Sequence, residues 1–185
     1  MNALEALQGR RTVRQYEPDY VIPDSDLEQI VNAGLISPTA CNVQDIDLVV
    51  VTNRAKLDEV ATTALATWPA DFQAMFNKRK EELGVKNVVT CDASCLVCLV
   101  KNERADPLFT SINNGIVSMS LIVAARALGL ETMCVGALLW GDKSKVESLL
   151  GIPEGNLVMA VAIGKAKPDH KEQPKEVLCK ATYIK

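Results

Sequence analysis

The chain has 185 residues, 48% of them hydrophobic and 23% charged, and a formal net charge of −3. That length suits one domain able to build an apolar core of its own. Dispersed basic residues and only 4% aromatics exclude the dense cationic, base-stacking surface of a nucleic-acid binder. No stretch reaches the ~18 uninterrupted apolar residues of a membrane helix. Met1–Arg11 carries Glu5 and lacks the apolar block of a signal peptide. These features predict a cytoplasmic protein whose six cysteines stay reduced.

In chain order, Asn2–Gly9 reads as a short helix with Leu4 and Leu7 on one side. A polar, arginine-rich stretch follows, "GRRTVRQYEPD". Pro23-Asp24-Ser25-Asp26 signals a helix start, and Leu27, Ile30, Val31 and Leu35 keep helical spacing until Ser37-Pro38. "PTACNVQ" reads as a loop, and Ile46–Thr52 as a strand on its valine run. Ala55–Thr67 and Asp71–Leu83 read as helices parted by Trp68-Pro69. Ala93–Lys101 is the second strand. Ser111–Leu128 is the longest helix, apolar around most of its circumference and so expected to be buried. Thr132–Leu138 and Asn156–Ile163 are the third and fourth strands, with a short amphipathic helix at Lys143–Leu150 between them. From about residue 165 a polar arm with some strand character runs to residue 185. Four apolar strands separated by helices imply a sheet covered on both faces, in a single domain over 1–185.

Cys91, Cys95 and Cys98 have the C-x-x-x-C-x-x-C spacing of a cluster-binding radical enzyme. On a strand, however, Cys95 and Cys98 point to opposite faces, and Cys91 and Cys95 share a face roughly 13 Å apart. Leu96, Val97, Leu99 and Val100 surround them with apolar matter. Buried structural thiols are the favoured reading and the cluster the alternative. The one histidine, His170, lies in the polar arm and is expected to be solvated. With no histidine pair and no cysteine pair in a loop, no metal site is expected.

Two segments carry groups suited to an anionic, planar ligand. Arg10, Arg11, Thr12 and Arg14 offer guanidiniums and a hydroxyl within five residues. Thr39, Asn42 and Gln44 offer short hydrogen-bonding side chains after Pro38. The order R-R-T-x-R, a Pro-Asp helix start, S-P-T-x-x-N-x-Q and a valine-rich strand resembles the opening of the nitroreductase family. "INNGIVSMSLIVAARALGLETMCVGAL" is similar to that family's long central helix and following strand, and "LLGIPEGNLVMAVAIGKAKP" to its last core strand.

The resemblance implies an α+β fold: a three-layer α/β/α sandwich with a mainly antiparallel central sheet, in an intertwined homodimer with FMN at the subunit interface. It implies electron transfer from NADH or NADPH, through FMN, to a nitroaromatic, quinone or similar acceptor. Arg10, Arg11, Thr12 and Arg14 would bind the FMN phosphate, ribityl chain and pyrimidine edge. Pro38, Thr39, Ala40, Cys41 and Asn42 would contact the same flavin from the other subunit. Val135, Gly136 and Ala137 would run along the ring, and Lys171 would reach the phosphate. "FNKRK" would add Asn77 and Lys80 at the ring. The chain departs from the family at Cys41, where Ser or Thr is usual, at Asp45-Ile46, where Pro and an aromatic are usual, and at Gln173, where a basic residue is common. A non-enzymatic flavin-binding module on the same scaffold is a further alternative.

Overall fold

The computed structural model describes residues 1–170, 172 and 174–185. Six helices are present among them: α1 (Ala3–Gly9), α2 (Asp24–Leu35), α3 (Arg54–Thr67), α4 (Ala70–Leu83), α5 (Thr110–Ala127) and α6 (Ser144–Leu150). The strands are β1 (Ile46–Val51), β2 (Cys95–Lys101), β3 (Glu131–Cys134) and β4 (Leu157–Gly164). They form one sheet in the order β1-β2-β4-β3, with every neighbouring pair antiparallel.

Strand alternation divides the core into two. Cys95, Val97 and Leu99 of β2 pack with Ile30 of α2 and with Val117 and Leu121 of α5. Leu96, Cys98 and Val100 pack with Leu57 and Val60 of α3, Phe76 of α4 and Val146 of α6. The sheet is therefore the middle of three layers, as expected, and its central strand is buried on both faces. The close packing of α2 on α5 depends on Gly34, where a Cβ would meet the Leu121 Cδ2 at 2.8 Å.

Four local expectations change. The third strand ends at Cys134, because Gly136–Leu139 winds into a 3-10 turn. Cys91 precedes β2 in a left-handed turn and packs in the Cys98 cluster, on the face away from Cys95. The α2 start has no side-chain cap; Pro23 holds that position, and the acidic Asp24 and Asp26 lie in the first turn, where negative charge suits the helix dipole. The described residues from 172 onward carry no regular secondary structure.

Helix α5 is the fifth change, because it is not buried all round. Ile116, Met119 and Val123 line an open apolar groove of about 630 Å³, with Ala33 of α2 and Pro38. Ile112 of α5 and Leu4 and Leu7 of α1 are also exposed, at 56%, 62% and 45%.

Candidate cofactor-binding site

After α1 the chain runs along the free edge of β3. Thr12 bridges to Thr132 in parallel, and the Val13 N–H donates to the Thr132 carbonyl at 3.1 Å. Val13 turns into the core, while Thr12 and Arg14 face outward. Arg11 does not join them: its guanidinium donates to the carbonyls of Gln8 and Arg10 at 2.8 and 2.9 Å, closing the C-terminus of α1.

Two concavities open along this edge. One, about 480 Å³, is lined by Thr12, Arg14, Arg79, Glu82, Asp169 and His170. The other, about 530 Å³, has Arg10, Cys134 and Lys175 with Asn114 and Ser118 of α5. Among the described residues, no carboxylate forms an ion pair with Arg10, Arg14 or Arg79. Burial lowers the Arg14 pKa, and the positive charge of Arg79 lowers it further. Ser118 is buried, and neither its Oγ nor the Asn114 Oδ1 has a partner among the described residues. The edge thus presents unneutralised cations and unfilled polar groups, a surface suited to an anion with polar substituents.

Beyond β3, the Val135 N–H is taken by the Ala160 carbonyl at 2.7 Å. Gly136 and Ala137 open the 3-10 turn, so their N–H groups have no partner within it. Trp140 closes the turn and packs edge-on against Phe72 and Phe76 of α4, which ties this corner to α4.

The expected loop residues are not brought to these concavities. Pro38 lies on the apolar groove, and Thr39, Ala40, Cys41 and Asn42 line neither concavity. The loop is rigidly made nonetheless. Cys41, Asn42 and Gln44 hold left-handed backbones at φ 52°, 55° and 50°. The Thr39 hydroxyl accepts the Gln44 N–H at 3.0 Å, and the Asn113 side chain accepts the Ala40 N–H at 3.0 Å. Asp45, fully buried, accepts from Thr110 Oγ1 at 2.7 Å and Asn113 Nδ2 at 2.8 Å. That carboxylate is what fastens the loop to the start of α5, and its departure from the family pattern is the sequence signal for it.

Helical phase separates Asn77 and Lys80 from Arg79. Gln15 Nε2 donates to the Leu83 carbonyl at 3.2 Å and sets one face of α4, with Arg79 and Glu82, over Arg14. Asn77 and Lys80 sit in another hollow of about 180 Å³, with Asp58, Lys86 and Asn87. Lys171 lies outside the described residues.

His170 is not a solvated side chain. It keeps 20% of its surface, its Nδ1 lies 2.8 Å from the Lys167 carbonyl, and its Nε2 is buried without a hydrogen-bond partner among the described residues, 4.0 Å from Glu172 Oε1. Arg79 and Lys175 were not singled out in the sequence, and Asp45 was noted there as a departure from the family pattern, without its role in holding the loop. The cysteines do not converge: burial pushes Cys95 and Cys98 up to about 12 and Cys91 to about 11, the last against the pull of Arg79 and Arg14. These are inert core thiols.

The nitroreductase family model matches residues 7–165. The chain belongs to the nitroreductase family. An NADPH-flavin oxidoreductase of Vibrio harveyi is 25% identical over 163 residues, covering 85% of this chain and 62% of that protein. A nitroreductase with bound FMN from Bacteroides fragilis superposes with a TM-score of 0.81 at 22% identity, covering 100% of this chain and 98% of that one. Another with bound FMN, from Desulfitobacterium hafniense, gives 0.81 at 24% identity and full coverage of both chains. The β3 edge and the Gly136 turn of this nitroreductase-family chain lie inside the matched span, whereas Lys175 lies beyond it.

Proposed function

We propose that this chain is an FMN-dependent oxidoreductase that moves two electrons from NADH or NADPH to a nitroaromatic, quinone or similar acceptor. The carrying observation is the β3 edge, where Arg10, Thr12 and Arg14 face outward with no carboxylate partner among the described residues. These groups fit FMN, which brings a phosphate, a hydroxylated chain and a polar ring edge. FMN would supply hydride acceptance and release; the chain need only bind, orient and tune it.

In this reading Arg10 and Lys175, with Lys171, take the phosphate end, and Thr12 a ribityl hydroxyl. Arg14 meets the pyrimidine edge, where its charge favours the reduced cofactor. Gly136 and Ala137 direct their amides at the ring, behind Val135. Arg11 supports Arg10 by capping α1. Pro38, Thr39, Ala40, Cys41 and Asn42 reach a flavin held by a second copy, which fits a loop that begins with Pro38 on an exposed apolar groove. The assembly is thus a homodimer with FMN at its interface. The single-domain reading of 1–185 and a cytoplasmic location belong to the same proposal; among the described residues no helix is long and apolar enough to cross a membrane.

The test is the absorption spectrum of the purified protein under anaerobic conditions. A bound flavin band that bleaches with NADH or NADPH and returns with a quinone is the expected result. A band that neither nucleotide bleaches overturns the reading and leaves a flavin-binding module.

A further inference from the structure

Arg79 was not among the expected site residues, yet it has the right place and no competing task. It stands on the α4 face that Gln15 fastens over the Arg10–Arg14 run, through its bond to the Leu83 carbonyl. It shares the 480 Å³ concavity with Thr12 and Arg14. Neither guanidinium donates a hydrogen bond to the protein or forms an ion pair among the described residues. Two half-buried arginines facing one hollow repel each other unless an anion joins them. The acids nearby do not fill that role. Glu82 lies 3.8 Å from Lys78, and Asp169 is exposed. Lys80, one residue along the helix, is turned about 100° away and lines the hollow with Asp58 and Asn87.

We propose that Arg79, paired with Arg14, binds the anionic pyrimidine edge of FMN in this chain, in the place that Lys80 would otherwise hold. The inference rests on the FMN reading above. Two planar forks can share the edge oxygen and nitrogen, and their combined charge favours the cofactor once it has gained negative charge on reduction. Arg79 is a binding residue whose removal alters affinity and potential together.

The experiment measures FMN affinity of the apoprotein, by flavin fluorescence, and the midpoint potential of the bound cofactor. Arg79→Gln is expected to weaken FMN about tenfold, the scale of a lost charge-assisted hydrogen bond. It is also expected to reduce the preference for reduced over oxidised cofactor about tenfold, which is about 30 mV for a two-electron couple. Arg79→Lys keeps most of the potential, since the charge remains. Lys80→Gln stays within about twofold of wild type on both, as a surface change does. Arg79→Met, which retains the packing of the stem, reads the same quantities should the Gln variant fail to fold. Wild-type protein that binds no FMN overturns the underlying reading. Wild-type protein that binds FMN, with Arg79→Gln and Arg79→Met silent or Lys80→Gln shifting the potential instead, overturns this inference alone.

Discussion

Asp45 shows how one side chain can set a loop. Its carboxylate is inaccessible to water and holds Thr110 and Asn113, and Asn113 in turn holds Ala40. Removing it strands two buried polar groups, each costing about 1–3 kcal/mol. Asp45→Ala is therefore expected to lower stability by about 2–6 kcal/mol in urea unfolding. It should also raise the protease sensitivity of residues 38–44 ahead of the rest of the chain. Uniform sensitivity with unchanged stability would contradict the tether. Glu147 is a second buried carboxylate, fed by the amides of Gly155 and Leu157 and by Lys143. Burial pushes its pKa up, but those amides and the ammonium outweigh it and the net shift is downward. Its contribution is therefore present above the unfolded carboxyl range and lost as pH falls through the lower folded value.

At the scale of elements, the packing of α2 on α5 leaves no room for a side chain at Gly34. A side chain there must displace Leu121 and Leu48, whose methyls lie 2.8 and 3.1 Å from the position of a Cβ. Leu121 is fully buried and has little room to yield. Gly34→Val is expected to cost about 2–3 kcal/mol through overpacking, read as a lower Tm. A Tm equal to wild type would show that the two helices can part freely. Helix α2 was legible in the sequence because Leu27, Ile30, Val31 and Leu35 recur at helical spacing, and α5 because of its long apolar run. The end of β3 was not. Val135, Ala137 and Leu138 suit a strand, but the Val135 N–H finds the Ala160 carbonyl and the chain then winds into a 3-10 turn. The phase of α4 was equally hidden. Its repeat is weak, and a distant bond from Gln15 marks which arginine or lysine faces the site.

At the scale of the whole molecule, the apolar groove along α5 is the face that a second copy would cover in the proposed homodimer. It joins Pro38, Ala33 and Ala3 to Ile116, Met119 and Val123, and the loop expected to reach a partner's flavin begins on it. Val123→Asp is expected to halve the mass seen in sedimentation equilibrium and to weaken FMN binding by more than about tenfold, because a charge buried in such an interface goes unpaired. A dimer that keeps its flavin with Asp at this position would overturn the assignment of the groove.

By itself the sequence determined the alternation of strands and helices, the two-sided sheet and the arginine-rich edge of the site. Each is written in local periodicity or in one short run such as Arg10–Arg14. It also ruled on the cysteines, since a strand cannot gather Cys95 and Cys98 on one face. Only the tertiary structure decided that Arg11 caps a helix, that Arg79 rather than Lys80 overlooks Arg14, that His170 is tucked in, and that Asp45 holds the loop. The physical reason is the same in each case. A side chain's partner, 65 residues away for Asp45 and Thr110, is chosen by packing, and hydrogen bonds between distant segments leave no period in the chain.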